Sequence, residues 1–280
     1  MSGAPPPPPS LTSHLTSLPT ARPYSAATHH PFLTAAGSGT LAPASLALFL
    51  SQDRLYAAHG YVTFLGHLLT KIPFASSRSF ASPEEELFQR VVRIVEYSLQ
   101  NVLREVGFFG DTAARFGLDL EGWTERKGTR DYLAELARVG ALGTMEDCMV
   151  FLWAMERVRS PSPSSSLCAI WLTQSVLWDQ VYIDAWKYVG SLVGPEQPSA
   201  DPSAVQQAVA FLVSNWTNDE FAGFVSDLEH IVNALDIKPN TKAWTRAEEI
   251  WARVVELEEQ FWPDVEREAE ELASLRATLP

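Results

Sequence analysis

Apolar residues recur along most of this 280-residue chain at steps of three and four, the spacing of one face of an α-helix. From Pro43 to Pro73, Leu46, Phe49, Leu50, Tyr56, Tyr61, Phe64 and Leu68 mark such a face, with steps of three (46–49, 61–64) and four (46–50, 64–68) among them. Proline fits the first turn of a helix and not its interior, so it opens this segment and closes it. Ser82-Pro83-Glu84-Glu85 reads as an N-cap, a proline at the first helical position and the glutamate of a capping box. Leu87, Val91, Ile94, Val95, Leu99 and Val102 carry that helix on. Segments near 129–139, 144–158, 182–193, 202–214, 217–236 and 241–276 have the same period. No alternating strand pattern and no Asn-Gly hairpin signal interrupts them. The pattern predicts an all-α protein, a single multi-helix bundle over residues 21–280, because connections are short and no linker divides the chain. Residues 1–20 are expected to be a flexible tail, its first ten or so a solvated Pro-rich stretch.

Residues 159–181 (RSPSPSSSLCAIWLTQSVLWDQV) depart from the helical period. Their Ser and Pro cluster stops a helix and an apolar patch follows. Removing these 23 residues joins Val158 to Tyr182 and lets the stripe Met145, Met149, Leu152, Met155, Tyr182, Trp186, Val189 continue in phase. The segment is therefore read as an atypical insertion, either a genuine surface excursion or an in-frame retained intron.

Charge narrows the function. Lys and Arg number 21 against 34 Asp and Glu, a net charge of −13, which gives no global field for a phosphate backbone. No apolar run reaches the ~18 residues of a transmembrane helix. The first residues lack the basic start and apolar centre of a secretory signal. Cys148 and Cys168 form neither a disulfide framework nor a zinc site. A cytoplasmic protein with a small-molecule substrate, and with no nucleic-acid or membrane partner, is the expectation.

No metal site is predicted. His59 and His67 are eight residues apart, about two turns, too far to share one ion easily. Asp227-x-x-His230 lacks the second Glu-x-x-His helix that a di-iron bundle requires. There is no phosphate-cradling glycine loop, Gly-x-Ser-x-Gly elbow or His-Glu-x-x-His motif. Any active site is then built from side chains facing inward between helices. Asp53 and Tyr56 share the apolar face of the early helix, where an unpaired carboxylate would be costly. Glu258, three residues before Phe261, would have its pKa raised by neighbouring aromatics and could serve as an acid or base. Glu146, Asp147 and Cys148 open a helix, where acids favour the dipole.

The same residues carry a resemblance to the TenA (thiaminase II) family. HHPFLTAAGSGTLAPASLALFLSQDRLY is similar to that family's His-Pro-Phe, Gly-x-Leu turn and Gln-Asp with a tyrosine three beyond. Glu258-Glu259-Gln260-Phe261-Trp262 resembles its Glu-x-x-Phe-Trp, and Trp216 to Phe221 its Tyr-x-x-x-x-Phe. The similarity spans residues about 20 to 275, without 159–181. It implies a haem-oxygenase-like bundle with no haem or other cofactor, assembled as a dimer or tetramer. It also implies hydrolysis of amine or formyl groups from thiamin-derived pyrimidines.

Carried over residue by residue, Asp53 would bind the aminopyrimidine edge and Glu258 would shuttle protons. Tyr56, Tyr132, Trp216 and Phe261 would line the ring pocket. The family's nucleophilic cysteine is missing: alignment on Glu146 puts Ala154 in its place. Cys148, six residues earlier and about 9 Å away along a helix, does not replace it and reads as a core residue. The chain thus resembles a cysteine-lacking branch in which carboxylates activate water, Glu258 with Asp53, and Glu156 if it faces the pocket. The alternatives are a non-catalytic ligand-binding or interaction protein on the same fold, or an oxidase related to pyrroloquinoline-quinone synthase. The last would want a more basic, histidine-rich pocket.

Overall fold

A computed structural model describes residues 9–73, 75–158, 182–193, 202–216, 219–265 and 268. Among the described residues every regular element is helical, and the all-α expectation holds. The helices are α1 (Leu11–Ser17), α2 (Tyr24–Thr28), α3 (Pro31–Gly37), α4 (Pro43–Leu55), α5 (Val62–Thr70) and α6 (Pro83–Phe116). They continue as α7 (Lys127–Leu142), α8 (Met145–Val158), α9 (Tyr182–Leu192), α10 (Ala204–Trp216), α11 (Asp219–Ala234) and α12 (Lys242–Phe261). Among these residues no helix is long and apolar enough to cross a membrane.

α8 lies at the centre, packed on α11 and α12. Cys148 to Met155 are buried without a break, so its apolar surface runs all the way round, as a fully enclosed helix requires. Trp153 stacks on Trp251 of α12 with ring centroids 5.3 Å apart. α6 is the longest helix, and its start is the one the capping signal predicts: Ser82 Oγ accepts from the Glu85 N–H at 3.2 Å. The second half of the expected capping box does not form, because the Glu85 carboxylate accepts from Arg78 and Gln89 instead. Gly117, in the left-handed region at φ 65°, ends the helix.

Two expected boundaries are corrected. The flexible tail does not extend to residue 20: α1 is a helix capped by Ser10, with Leu11 and Leu15 buried against α11 and α12. Thr12 ties it down, its N–H donating to Asn233 Oδ1 at 3.1 Å. The last helix does not run to 276, since Trp262 turns to extended backbone at φ −67°, ψ 132°, the conformation a following proline (Pro263) imposes. Residues 159–181 and 1–8 lie outside the described residues. The helices flanking 159–181 have different neighbours: α8 packs on α11 and α12, α9 on α3 and α10.

Candidate active site

Between α4 and α5 the backbone makes a π turn, Tyr56–Tyr61. In an unbroken α-helix, residues five apart sit about 140° from each other around the axis. A π turn bonds i to i+5 and returns the fifth residue over the first. Tyr56 and Tyr61 therefore both point inward, with ring centroids 5.9 Å apart. Gly60 makes the turn fit against α7, because a Cβ there would stand 2.3 Å from Leu133 Cδ2. Asp53, one turn before Tyr56, is buried beside it on α4.

α7 and α12 supply a buried tyrosine–carboxylate pair. Tyr132, wholly enclosed, donates its hydroxyl to Glu258 Oε1 at 2.6 Å. The Tyr132 ring lies 5.0 Å from Tyr56 and 6.0 Å, edge on, from Phe261. Phe261 is also edge on to Tyr56 at 5.7 Å. Three features hold this geometry. At Gly128 a Cβ would fall 2.1 Å from the Gln260 carbonyl oxygen, so only glycine lets α7 approach α12 this closely. The Arg126 guanidinium donates to the Phe261 and Trp262 carbonyls at 2.6 and 3.1 Å, satisfying the end of α12. Gln52, fully buried, accepts from the Arg126 N–H at 2.9 Å and Thr129 Oγ1 at 2.8 Å, and donates to the Thr124 carbonyl at 3.1 Å.

A second pair also neighbours Tyr56. Tyr61 donates to Glu156 Oε1 of α8 at 2.7 Å, and both side chains are buried. Burial, and then the charge of Glu156, push the Tyr61 phenol well above its ordinary range. Tyr56 itself directs its hydroxyl to Met155 Sδ at 3.2 Å. Two phenol–carboxylate pairs thus neighbour one tyrosine ring, in a setting able to hold and move protons away from bulk water.

No family model matches the chain. Its backbone is similar to a TenA homologue from Pyrococcus furiosus, with a TM-score of 0.61, 20% identity, and 85% of this chain and 92% of that one covered. A TenA family transcription regulator from Silicibacter gives 0.61 at 14% identity, covering 90% and 94%. The chain has the TenA fold. Among curated proteins it is 26% identical over 275 residues to a "Probable transcription factor" of Fusarium pseudograminearum, covering 92% of this chain. It spans about half (52%) of that relative's length. It is 22% identical over 241 residues to a "Probable bifunctional TENA-E protein" of Glycine max, covering 85% of this chain and 86% of the relative.

On this TenA bundle, Tyr56, Tyr132, Glu258 and Phe261 gather around one centre, although the chain spreads them from residue 56 to residue 261, and Asp53 is buried one turn before Tyr56. Trp216 stands further off. It packs on Trp186 at 4.8 Å, Trp186 on Phe49 at 6.1 Å, and Phe49 on Phe261 at 6.4 Å. Its indole N–H donates to Glu105 Oε1 at 2.9 Å, so its described contacts put it one layer behind the ring pocket expected of it. Ala154 is buried in α8, about 100° around the axis from Met155 and 200° from Glu156. The α8 residues with described contacts to the tyrosines are Met155 and Glu156, not Ala154.

Cys148 is a core residue. Its thiol bonds the Val139 carbonyl at 3.4 Å, and burial pushes its pKa up to about 12. Asp147 caps its own helix, accepting from the Thr144 N–H at 3.0 Å, and pairs with Arg246 at 2.9 Å. His59 and His230 are exposed, and His230 bonds the Ser226 carbonyl at 2.7 Å. Among the described residues no group of three or more His, Cys, Asp or Glu side chains is placed to hold a metal ion.

Sequence reasoning missed Tyr61, Gln52, Arg126 and Gly128. For Tyr61 a signal existed: the step from Tyr56 is five, which no regular α-helical face accommodates. For the other three nothing in the local pattern marks a partner 70 or more positions away.

Proposed function

We propose that this chain is a hydrolase acting on C–N bonds of amino- or formamido-pyrimidines of the kind thiamin breakdown yields, with carboxylates activating water. The observation that carries the reading is the buried Tyr132–Glu258 hydrogen bond of 2.6 Å, walled by Tyr56 and Phe261. A flat heterocycle packs well against aromatic rings. Asp53 supplies the acceptor for its exocyclic amine. Water adds to the carbon bearing the departing nitrogen, the C–N bond breaks, and Glu258, in contact with Tyr132, handles the proton. A thiolate route through Cys148 is disfavoured, since with a pKa of about 12 it is protonated at neutral pH and lies in the core.

Mass-spectrometric turnover of an amino- and formamido-pyrimidine panel tests this. Wild type should release the deaminated or deformylated product, and Glu258→Gln should lower kcat by ~10²-fold or more, the scale of a lost acid/base. Asp53→Asn should chiefly raise KM. A folded wild-type protein that turns over none of the panel would overturn the hydrolase reading. It would favour the binding role suggested by relatives named as a transcription factor and a transcription regulator.

A further inference from the structure

α6 and α11 leave a groove of about 540 Å³ between them. It contains an aromatic pair: Phe224 is buried, and its ring lies 5.0 Å from that of half-buried Tyr97. Ile94 and Ile231 extend this apolar lining. On the α6 side are Arg90 and Arg93, three residues apart and so on one face of the helix. Among the described residues neither guanidinium pairs with a carboxylate, and Asp227, on the α11 side of the groove, forms no ion pair with them. The chain does not lack acids. Arg78 pairs with Glu84 and Glu85, Arg157 with Glu229 and Arg246 with Asp147. Two like charges side by side on a helix repel and weaken it. In a chain of net charge −13, this pair of arginines beside aromatic rings makes a local field opposite to that of the whole.

We propose that the α6–α11 groove is a binding site for a phosphate monoester of a small aromatic ring. It shares no lining residue with the tyrosine–glutamate site. Guanidinium groups present forked donors that match phosphate oxygens, and they stay charged at any working pH. Two of them on one helix face can meet a single phosphate and neutralise its charge. The ligand's ring then packs on Tyr97 and Phe224. Asp227 fixes the orientation: it repels phosphate from the α11 side and accepts from a hydroxyl or ring N–H placed there. Gly223 leaves room, since a Cβ at that position would meet no atom within 4 Å. A concave, mainly apolar site with a few polar groups is the usual form for small ligands. The acidic charge of the whole chain works against a phosphate polymer, so the ligand is a small one. The assignment concerns binding and does not depend on the hydrolase reading.

Isothermal titration calorimetry of the full chain at low salt tests the site, with phenyl phosphate as the probe and inorganic phosphate and benzoate beside it. Wild type should bind phenyl phosphate with a sub-millimolar Kd, and each of the other two at least ~tenfold more weakly. The double variant Arg90→Gln/Arg93→Gln should raise the Kd for phenyl phosphate by ~tenfold or more, with an unchanged melting curve because both side chains are only half-buried or exposed. Gly223→Leu should block the same binding by filling the groove from α11, while leucine's helix preference keeps the fold intact. No binding by wild type would overturn the site, as would a Kd that the arginine double variant leaves within about threefold. Benzoate bound as tightly as phenyl phosphate would overturn phosphate as the recognised group. Inorganic phosphate bound as tightly would overturn the part given to Tyr97 and Phe224. Every one of these outcomes is read without turnover, so none of them touches the Glu258 mechanism.

Discussion

The two tyrosine–glutamate pairs are built in opposite ways. Tyr132 and Glu258 sit on regular helices 126 positions apart and meet because Gln52, Arg126 and Gly128 lock the start of α7 to the end of α12. Tyr61 reaches Glu156 through a local device, one π turn that swings its ring inward, seated on α7 by Gly60. A pair held by a network spread over several elements is sensitive to any break in that network. A pair held by backbone geometry is sensitive mainly to the turn and to the surface under it.

Breaking the network should have the larger effect. Gln52→Ala strands the Arg126 N–H, the Thr129 hydroxyl and the Thr124 carbonyl around a buried gap. Unpaired buried groups cost about 1–3 kcal/mol each, so a loss of about 3 kcal/mol and a Tm lower by roughly 6–12 °C are expected. Calorimetry checks the stability, and turnover should fall with it as Tyr132 leaves Glu258. An unchanged Tm would show that Gln52 does not hold α7. Gly60→Ala probes the other pair. Its Cβ meets only side-chain ends, Leu133 Cδ2 at 2.3 Å and Leu136 Cδ1 at 3.0 Å, and alanine's helix preference offsets part of the strain. A net destabilisation of about 1 kcal/mol, read by denaturant unfolding, is expected.

Cys148 provides the zero of the scale. Burial holds its thiol at about 12, so at pH 8 it should resist iodoacetamide in the folded protein and react once unfolded, as peptide mapping would show. Its pKa is raised on folding, so this thiol's contribution to stability is constant below about pH 9 and declines as pH climbs from there toward 12. Cys148→Ala should leave kcat unchanged. Rapid alkylation of folded protein at pH 8 would reopen a thiolate mechanism.

Much of the architecture was legible because helical periodicity is local. The cap at Ser82 and the inward face of Asp53 and Tyr56 each follow from a few neighbouring residues. Where the local rules failed, a different local rule or a distant contact had won. Pro263 ended α12 earlier than its apolar period suggested. Two leucines in Leu-Thr-Ser-His-Leu docked a stretch that composition assigned to a tail. Ala154 was placed by counting along one motif, but the angle around α8 brings Met155 and Glu156 against the tyrosines.

By itself the sequence determined the helical class, most helix starts and stops, and the side chains with chemistry to offer, since periodicity, capping and residue type act over a turn or two. Only the tertiary structure decided which of those side chains meet. Hydrogen bonds such as Tyr132 to Glu258 and Tyr61 to Glu156 join residues about a hundred positions apart. Their distances depend on how closely whole helices approach, which no short stretch of chain encodes.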